Sequence, residues 1–459
     1  MMRFGGGFIG NRACCLVTLV WLVLLASPAA PAQPPKPSSG KLQSIVAKWE
    51  EAVKENPSDA HLRVNLGAAY AAVGRLEDAI TQFKQAIVLR PSMVEAHVNL
   101  GVVYAAAERP EEAIGAFEEA IRLAPTFAPA YANLAGFYEK QGRLDDALGY
   151  YKKAMALAPK SPEAYFGLGR VYLKKEQFSD ALEANRRALE IDTSLVGAHN
   201  NMGLAYRSLG KLDEARRAYQ RAIEINPDYM DAYYNLAVSY EYNPRGVRYG
   251  PGAEIDRAEQ LYRKVIALRP EDTEARYNLG ALLGERDRYE DSASALEEVV
   301  ARDKDHSRAW NDLGVAYFNL GRYRSAVRAL GRSIALTPGY AEAHANLGRA
   351  YLEQQHIEEA IREYHAATRL DPGYVEARTN LGAIYASQGR LDDAIVELEK
   401  AVDINPNHRE AHTNLAIIYH FTKQLDKARA HFKRAEELGY RFHQETGEAL
   451  KEATPKLRR

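Results

Sequence analysis

Between Ala60 and Phe442 a tripeptide of the Asn-Leu-Gly kind returns every 34 residues, from Asn65-Leu66-Gly67 to Asn414-Leu415-Ala416. Eleven copies start at Ala60, Val94, Ala128, Pro162, Val196, Met230, Thr273, Ser307, Ala341, Val375 and Arg409. One step is long, since Asn235 to Asn278 holds nine extra residues. A period of this length leaves few architectures open. A copy cannot bury its apolar face alone, so neighbours must stack, and paired helices then build a solenoid. The 459-residue chain is therefore expected as one array, although its length alone would suggest two or three domains.

The eighth copy shows the internal pattern. Trp310, Leu313, Gly314 and Tyr317 share one face of a first helix, and Ala326 and Leu330 lie on a second. The small residue after the Leu lets the two helices approach closely. Tyr recurs three residues later in ten copies, from Tyr70 to Tyr419, with Leu283 in the other. Pro91, Pro125, Pro159, Pro227, Pro270, Pro338, Pro372 and Pro406 stop the second helix where the next copy must begin.

These residues resemble the tetratricopeptide repeat family over about 380 residues. The resemblance implies an all-α, right-handed α-solenoid whose first helices line the inside. On that plan residues 33–42, rich in Pro and Ser, are a flexible linker. Residues 43–57 form an N-terminal half repeat and 60–442 the eleven repeats. A capping helix starts near Phe442, with its remainder and a basic tail in 443–459. The insertion, 243–256, opens with three Gly and two Pro between Asn243 and Gly252 and reads as a protruding loop. It is either a tolerated surface insertion or a contact arm using Arg245, Arg248 and Tyr249.

The Asn of each tripeptide is the candidate binding group. Nine copies carry it, as Asn65, Asn99, Asn133, Asn201, Asn235, Asn278, Asn346, Asn380 and Asn414, while Gly167 and Asp312 replace it in the others. Asn costs about half a kcal/mol against Ala in a helix. Its amide, however, matches the N–H and C=O of an extended peptide. Neighbouring first helices about 10 Å apart would meet such a peptide at about every third residue. The pattern resembles the repeat region of O-linked N-acetylglucosamine transferases, which implies an inner Asn ladder gripping a ligand backbone. Asp312, if ionised, could only accept, and would suit a ligand N–H or Lys. The other reading makes the Asn a consensus residue with a role inside the array. Phe166, Tyr234, Val238, Tyr277, Val315 and Phe318 lie beside the ladder, either as aromatic or apolar anchors for a ligand or as packing between helices. A further subgroup of the family clamps carboxylate termini with a Lys before the Asn; no copy has that Lys.

Other chemistries find little support. Sixty basic residues against 61 acidic give no basic excess for nucleic acid. His408 and His412 stand at i, i+4 with His420 beyond, but no carboxylate completes a metal set, and no cofactor is expected. Outside the repeats too little chain remains for a catalytic domain of about 100 residues. The leading expectation is thus a non-catalytic protein–protein interaction scaffold whose partner is a peptide or protein segment in extended conformation. Alternatives are a substrate-recognition subunit for a separate glycosyltransferase or other enzyme, and a membrane-anchored envelope-assembly factor.

The N-terminus bears on location. Arg3 and Arg12 precede an apolar run, Ala13 to Ala26, and Ala30-Pro31-Ala32 follows as a cleavage site, the layout of a signal peptide over residues 1–32. The run is short for a membrane span of about 20 residues. Both cysteines, Cys14 and Cys15, would leave with it. An exported protein is expected, in a periplasm or a eukaryotic secretory route, with membrane contact only if residues 13–26 remain as an anchor. N-terminal sequencing of the exported protein should begin near Gln33; an intact Met1 in the membrane fraction would make it anchored instead.

Overall fold

The computed structural model describes residues 39–440, so the signal segment and the cap near Phe442 lie outside the described residues. Within them the protein is an all-α solenoid of 23 helices with no strand, only an isolated bridge between Tyr242 and Arg248. The described residues fall into two compact units, one ending at Leu261 and the other beginning at Tyr262.

The first unit opens with a single helix, Ser39–Glu55, whose first four residues lie inside the stretch expected as linker. Pro37 is the last proline there, and nothing after it breaks a helix. Val46 is buried and Trp49 half-buried against the helix Ala60–Ala72, and Tyr70 donates its hydroxyl hydrogen to Glu50 at 2.8 Å. Helix pairs follow, from Ala60–Ala72 with Leu76–Leu89 to Val196–Ser208 with Leu212–Ile225. Met230–Tyr240 then leads into the insertion. The second unit runs from Thr273–Gly284 and Tyr289–Arg302 to Arg409–Phe421 and Leu425–Glu437.

The recurring Tyr explains how a pair is joined. Its carbonyl accepts from the N–H five residues on, as in Arg75 to Tyr70, Arg143 to Tyr138 and Arg390 to Tyr385, each at 2.9 Å. This closure needs a left-handed residue in between, which Gly74 supplies at φ 80° and Gly389 at φ 75°. Glu108 and Gln355 adopt the same conformation, at φ 58° and 62°, where an L-residue costs about 1–2 kcal/mol. The Tyr ring then receives the following Arg, at 4.1 Å for Arg75 and 4.3 Å for Arg143. That Arg reaches an acid in the first turn of the second helix, Asp78 at 2.6 Å and Asp146 at 2.7 Å. At the other end of the pair, Asp192, Asn226, Asp371 and Asn405 accept from the N–H two residues on, which turns the chain into the next repeat.

Inside several pairs a bulky side chain of the second helix lies on the backbone of the first. Phe83, Phe117, Leu330 and Leu398 are fully buried in this way. A Cβ added at Gly101 would stand 2.7 Å from Phe117, and one at Gly314 would stand 2.5 Å from Leu330.

The insertion is built rather than loose. Asn243 Oδ1 accepts from the N–H groups of Arg245 and Val247, both at 2.9 Å, and its Nδ2 donates to the Pro251 carbonyl at 3.2 Å. Buried Glu241 pairs with Arg248 at 2.8 Å, and the Arg248 guanidinium covers the Tyr249 ring at 4.7 Å. Of the three residues named for a contact arm, Arg245 is tied through its backbone N–H and is exposed, as is Val247.

Two glycine substitutions should therefore move stability in opposite directions. Gly203 lies hard against fully buried Tyr219, so Gly203→Ala should cost about 1–3 kcal/mol. Gly149 is exposed within the helix Leu144–Leu157 with open space at its Cβ, so Gly149→Ala should add about 0.5–1 kcal/mol. Urea-denaturation midpoints of the two variants check this; a shift of the same sign in both would contradict the packing described.

Candidate functional site

The nine ladder Asn residues do not share one environment. Asn99, Asn133, Asn201 and Asn278 are 4%, 1%, 4% and 7% exposed, and the other five are half-buried. Several amides are used inside the array. Asn133 and Asn278 donate from Nδ2 to the carbonyl four residues back, Pro129 and Glu274, both at 2.9 Å. Asn235 reaches back to Asn200 Oδ1 at 2.9 Å, and Asn346 to Asn311 Oδ1 at 3.0 Å. Those two bonds clip neighbouring first helices together. Asn200 and Asn311 stand one residue before the ladder position, a signal visible in the sequence but not recognised there. Asn99 Nδ2 and Asn133 Oδ1 are buried without a hydrogen-bond partner among the described residues.

The two gaps in the ladder have physical causes. A Cβ at Gly167 would overlap the ring of Tyr151, which fills the space an Asn side chain would need. Tyr151 belongs to a buried network in which Arg170 donates to its hydroxyl at 3.0 Å and pairs with Glu139 at 2.7 Å, while Lys174 pairs with Glu139 at 2.9 Å. Burial pushes the Tyr151 hydroxyl up to about 12. Asp312 sits between Tyr277 of the preceding repeat and Glu342 of the next, accepting from the Tyr277 hydroxyl and from Asn311 Nδ2 at 3.0 Å. Burial pushes its carboxyl up to about 6, against the lowering effect of those two donors.

The aromatic residues divide as well. Phe166 is 6% exposed and packs with Ala188, Leu195 and Ala198, so it is core and not a ligand anchor. Tyr234 and Val238 are half-buried. Tyr277 packs against the His306 ring at 4.6 Å. Phe318 is covered by the Arg349 guanidinium at 4.1 Å. Val315 and Asp312 line a hollow of about 320 Å³ with Glu285, Asp287, Tyr289 and Glu342.

The ladder opens in the second unit. Asn346, Asn380 and Asn414, from three consecutive first helices, line one groove of about 740 Å³. Tyr374 and Tyr440 add aromatic surface above fully buried Tyr364, and Arg349, Glu353 and Glu376 add charge. Burial pushes the Tyr364 and Tyr374 hydroxyls up to about 12. Such a lining offers amides for a peptide backbone and a mixed set of groups for its side chains. Two of the histidines singled out in the sequence make structural contacts: His408 Nδ1 accepts from the Ala411 N–H at 3.3 Å, and His412 Nδ1 lies 2.8 Å from His431 Nδ1. Among the described residues no three His, Cys, Asp or Glu side chains are grouped to hold a metal ion.

Asp312 gives a pH prediction. Its carboxyl titrates higher in the folded protein than in the unfolded chain. Its stabilising contribution is therefore complete below about pH 4 and lost as pH rises through about 6. Asp312→Asn removes that dependence and restores the ladder residue. The variant should gain up to about 3 kcal/mol over the parent at pH 7.5, with the difference vanishing near pH 4. Thermal midpoints of both proteins across that range decide it; equal midpoints at pH 7.5 would refute the assignment.

Models of the tetratricopeptide repeat match residues 46–91, 69–126, 282–341 and 345–408, and related models match 126–194 and 385–439. A TPR repeat model covers 203–243. None of the curated proteins matches the sequence. Among solved structures, MamA is 29% identical, with 33% of this chain and 90% of that one covered at a TM-score of 0.32. YrrB, described as a TPR protein with an unusual peptide-binding site, is 27% identical over 41% of this chain and 96% of that one, at 0.32. Yeast Tom70 is 14% identical over 86% and 94%, at 0.39. The repeat period, the helix pairs and the family models together make this chain a member of the tetratricopeptide repeat family.

Proposed function

We propose that the protein is a non-catalytic, exported scaffold that holds an extended segment of a partner protein in the groove of its second unit. Proteins of this repeat family are in general protein-interaction scaffolds. The observation that carries the reading here is the meeting of Asn346, Asn380 and Asn414 in one groove of about 740 Å³. First helices about 10 Å apart would place one amide at about every third residue of an extended backbone. Each amide oxygen can accept from a ligand N–H, and each Nδ2 can donate to a ligand C=O, Asn346 with the hydrogen that its bond to Asn311 leaves over. Export is part of the proposal and rests on the signal-like residues 1–32.

The test compares two triple variants. Asn346, Asn380 and Asn414 changed together to Ala should lose about 3 kcal/mol of affinity, about a hundredfold, at about 1 kcal/mol for each amide contact. The buried triple Asn99, Asn133 and Asn201 changed to Ala should leave affinity unchanged while altering stability. Isothermal titration with peptides selected by the wild-type protein from a displayed library gives the answer. Equal affinity for wild type and the groove triple, with helicity intact, would place the binding surface elsewhere.

A further inference from the structure

Arg349 stands out within the groove. It lies one turn beyond Asn346 on the helix Ala341–Glu353, exposed and lining the same hollow. Its guanidinium rests on the Phe318 ring at 4.1 Å, on the first helix of the preceding repeat. Other stacked arginines of the array are neutralised as well as stacked. Arg75 reaches Asp78 at 2.6 Å, Arg109 reaches Glu112 at 2.7 Å and Arg390 reaches Asp393 at 2.7 Å. Arg349 makes the ring contact without any ion pair among the described residues. Stacking engages the face of a guanidinium and leaves its N–H edge free, and that edge matches a carboxylate with two parallel hydrogen bonds. A side chain already held in place loses less entropy when a ligand arrives.

The rest of the lining narrows the ligand further. Glu353 and Glu376 also line the groove. Glu410 lines it too, but is paired with Arg409 at 2.6 Å. A run of acidic residues would meet Arg349 at one point and repulsion from Glu353 and Glu376 at the next. One isolated acid, with neutral or basic neighbours, meets attraction throughout.

We propose that Arg349 determines specificity in the groove by taking the carboxylate of a single Asp or Glu side chain in a bound segment of otherwise neutral or basic character. This rests on the peptide-binding reading above and adds the class of ligand to it.

The test is selection of 12-residue peptides from a phage-displayed random library by wild type, Arg349→Gln, Arg349→Lys and the groove triple Asn346, Asn380 and Asn414 to Ala. Wild type should enrich peptides with one acid at a fixed position and without acidic runs. Arg349→Gln should lose that enrichment and bind the wild-type peptides about tenfold or more weakly. Arg349→Lys should retain part of both, because it keeps the charge but not the planar edge. The same acidic enrichment in Arg349→Gln overturns the proposal. So does a wild-type selection without acidic enrichment whose binding the Asn triple abolishes, and that result leaves the peptide-binding reading standing. Failure of wild type to select any peptide, or selection unaffected by the Asn triple, overturns both. Arg349 is exposed, so circular dichroism of its variants should match wild type and keep the comparison clean.

Discussion

The array depends on one close contact made again in each repeat. The backbone of the first helix must come within reach of a side chain on the second, so only a small residue fits there: Gly in eight repeats, and buried Ala135, Ala237 and Ala416 in the other three. Gly67 lies against Phe83, Gly101 against Phe117 and Gly382 against Leu398. With the pair closed in this way, the Tyr carbonyl and its Arg lock the turn, and the next repeat finds a complete surface to stack on. Because the contact is local, the energy of the fold is distributed along the chain. A single Gly203→Ala clash can then weaken one region without unfolding the whole.

That construction explains why the inner Asn residues serve two purposes. Where neighbouring repeats pack tightly, as at Asn133 and Asn201, the amide is buried and its capacity is spent on the protein or left unmet. Between repeats it can act as a clip, as Asn235 does with Asn200. Only where the amides stay half-exposed and share a hollow, as at Asn380 and Asn414, can they face a ligand. The ladder is one sequence feature with different uses along its length, and burial decides which.

Much of the fold was legible because it repeats. A 34-residue period with small residues at contact points recurs through eleven copies, prolines end the second helix in eight places, and helices begin at Ala60, Val94, Ala128 and the other repeat starts. The candidate site was less legible, because burial depends on the neighbour and not on the residue. Phe166 stands one residue before a ladder position and Phe318 six residues after one. One is packed among Ala188, Leu195 and Ala198, and the other carries Arg349 on its face. Gly167 looked like a missing rung, yet the space is filled by Tyr151, whose Arg170–Glu139 network spans residues far apart in sequence. Gly and Pro in the insertion imply irregular backbone, but its order comes from Asn243 and Glu241, polar residues whose pairing cannot be inferred from composition.

The distribution of charge follows from the same logic. In the turns, an Arg stacked on Tyr costs little because an acid three residues on completes it, and such groups are structural. On the groove side Arg349, Glu353 and Glu376 line the hollow and make no ion pair with one another among the described residues. Charges left in that state are costly to bury and cheap to leave in water, which keeps the groove open in the free protein. A ligand that supplies the missing partners removes that cost, and one that supplies like charges raises it. Selectivity in such a groove therefore depends as much on the charges it repels as on the backbone its amides hold.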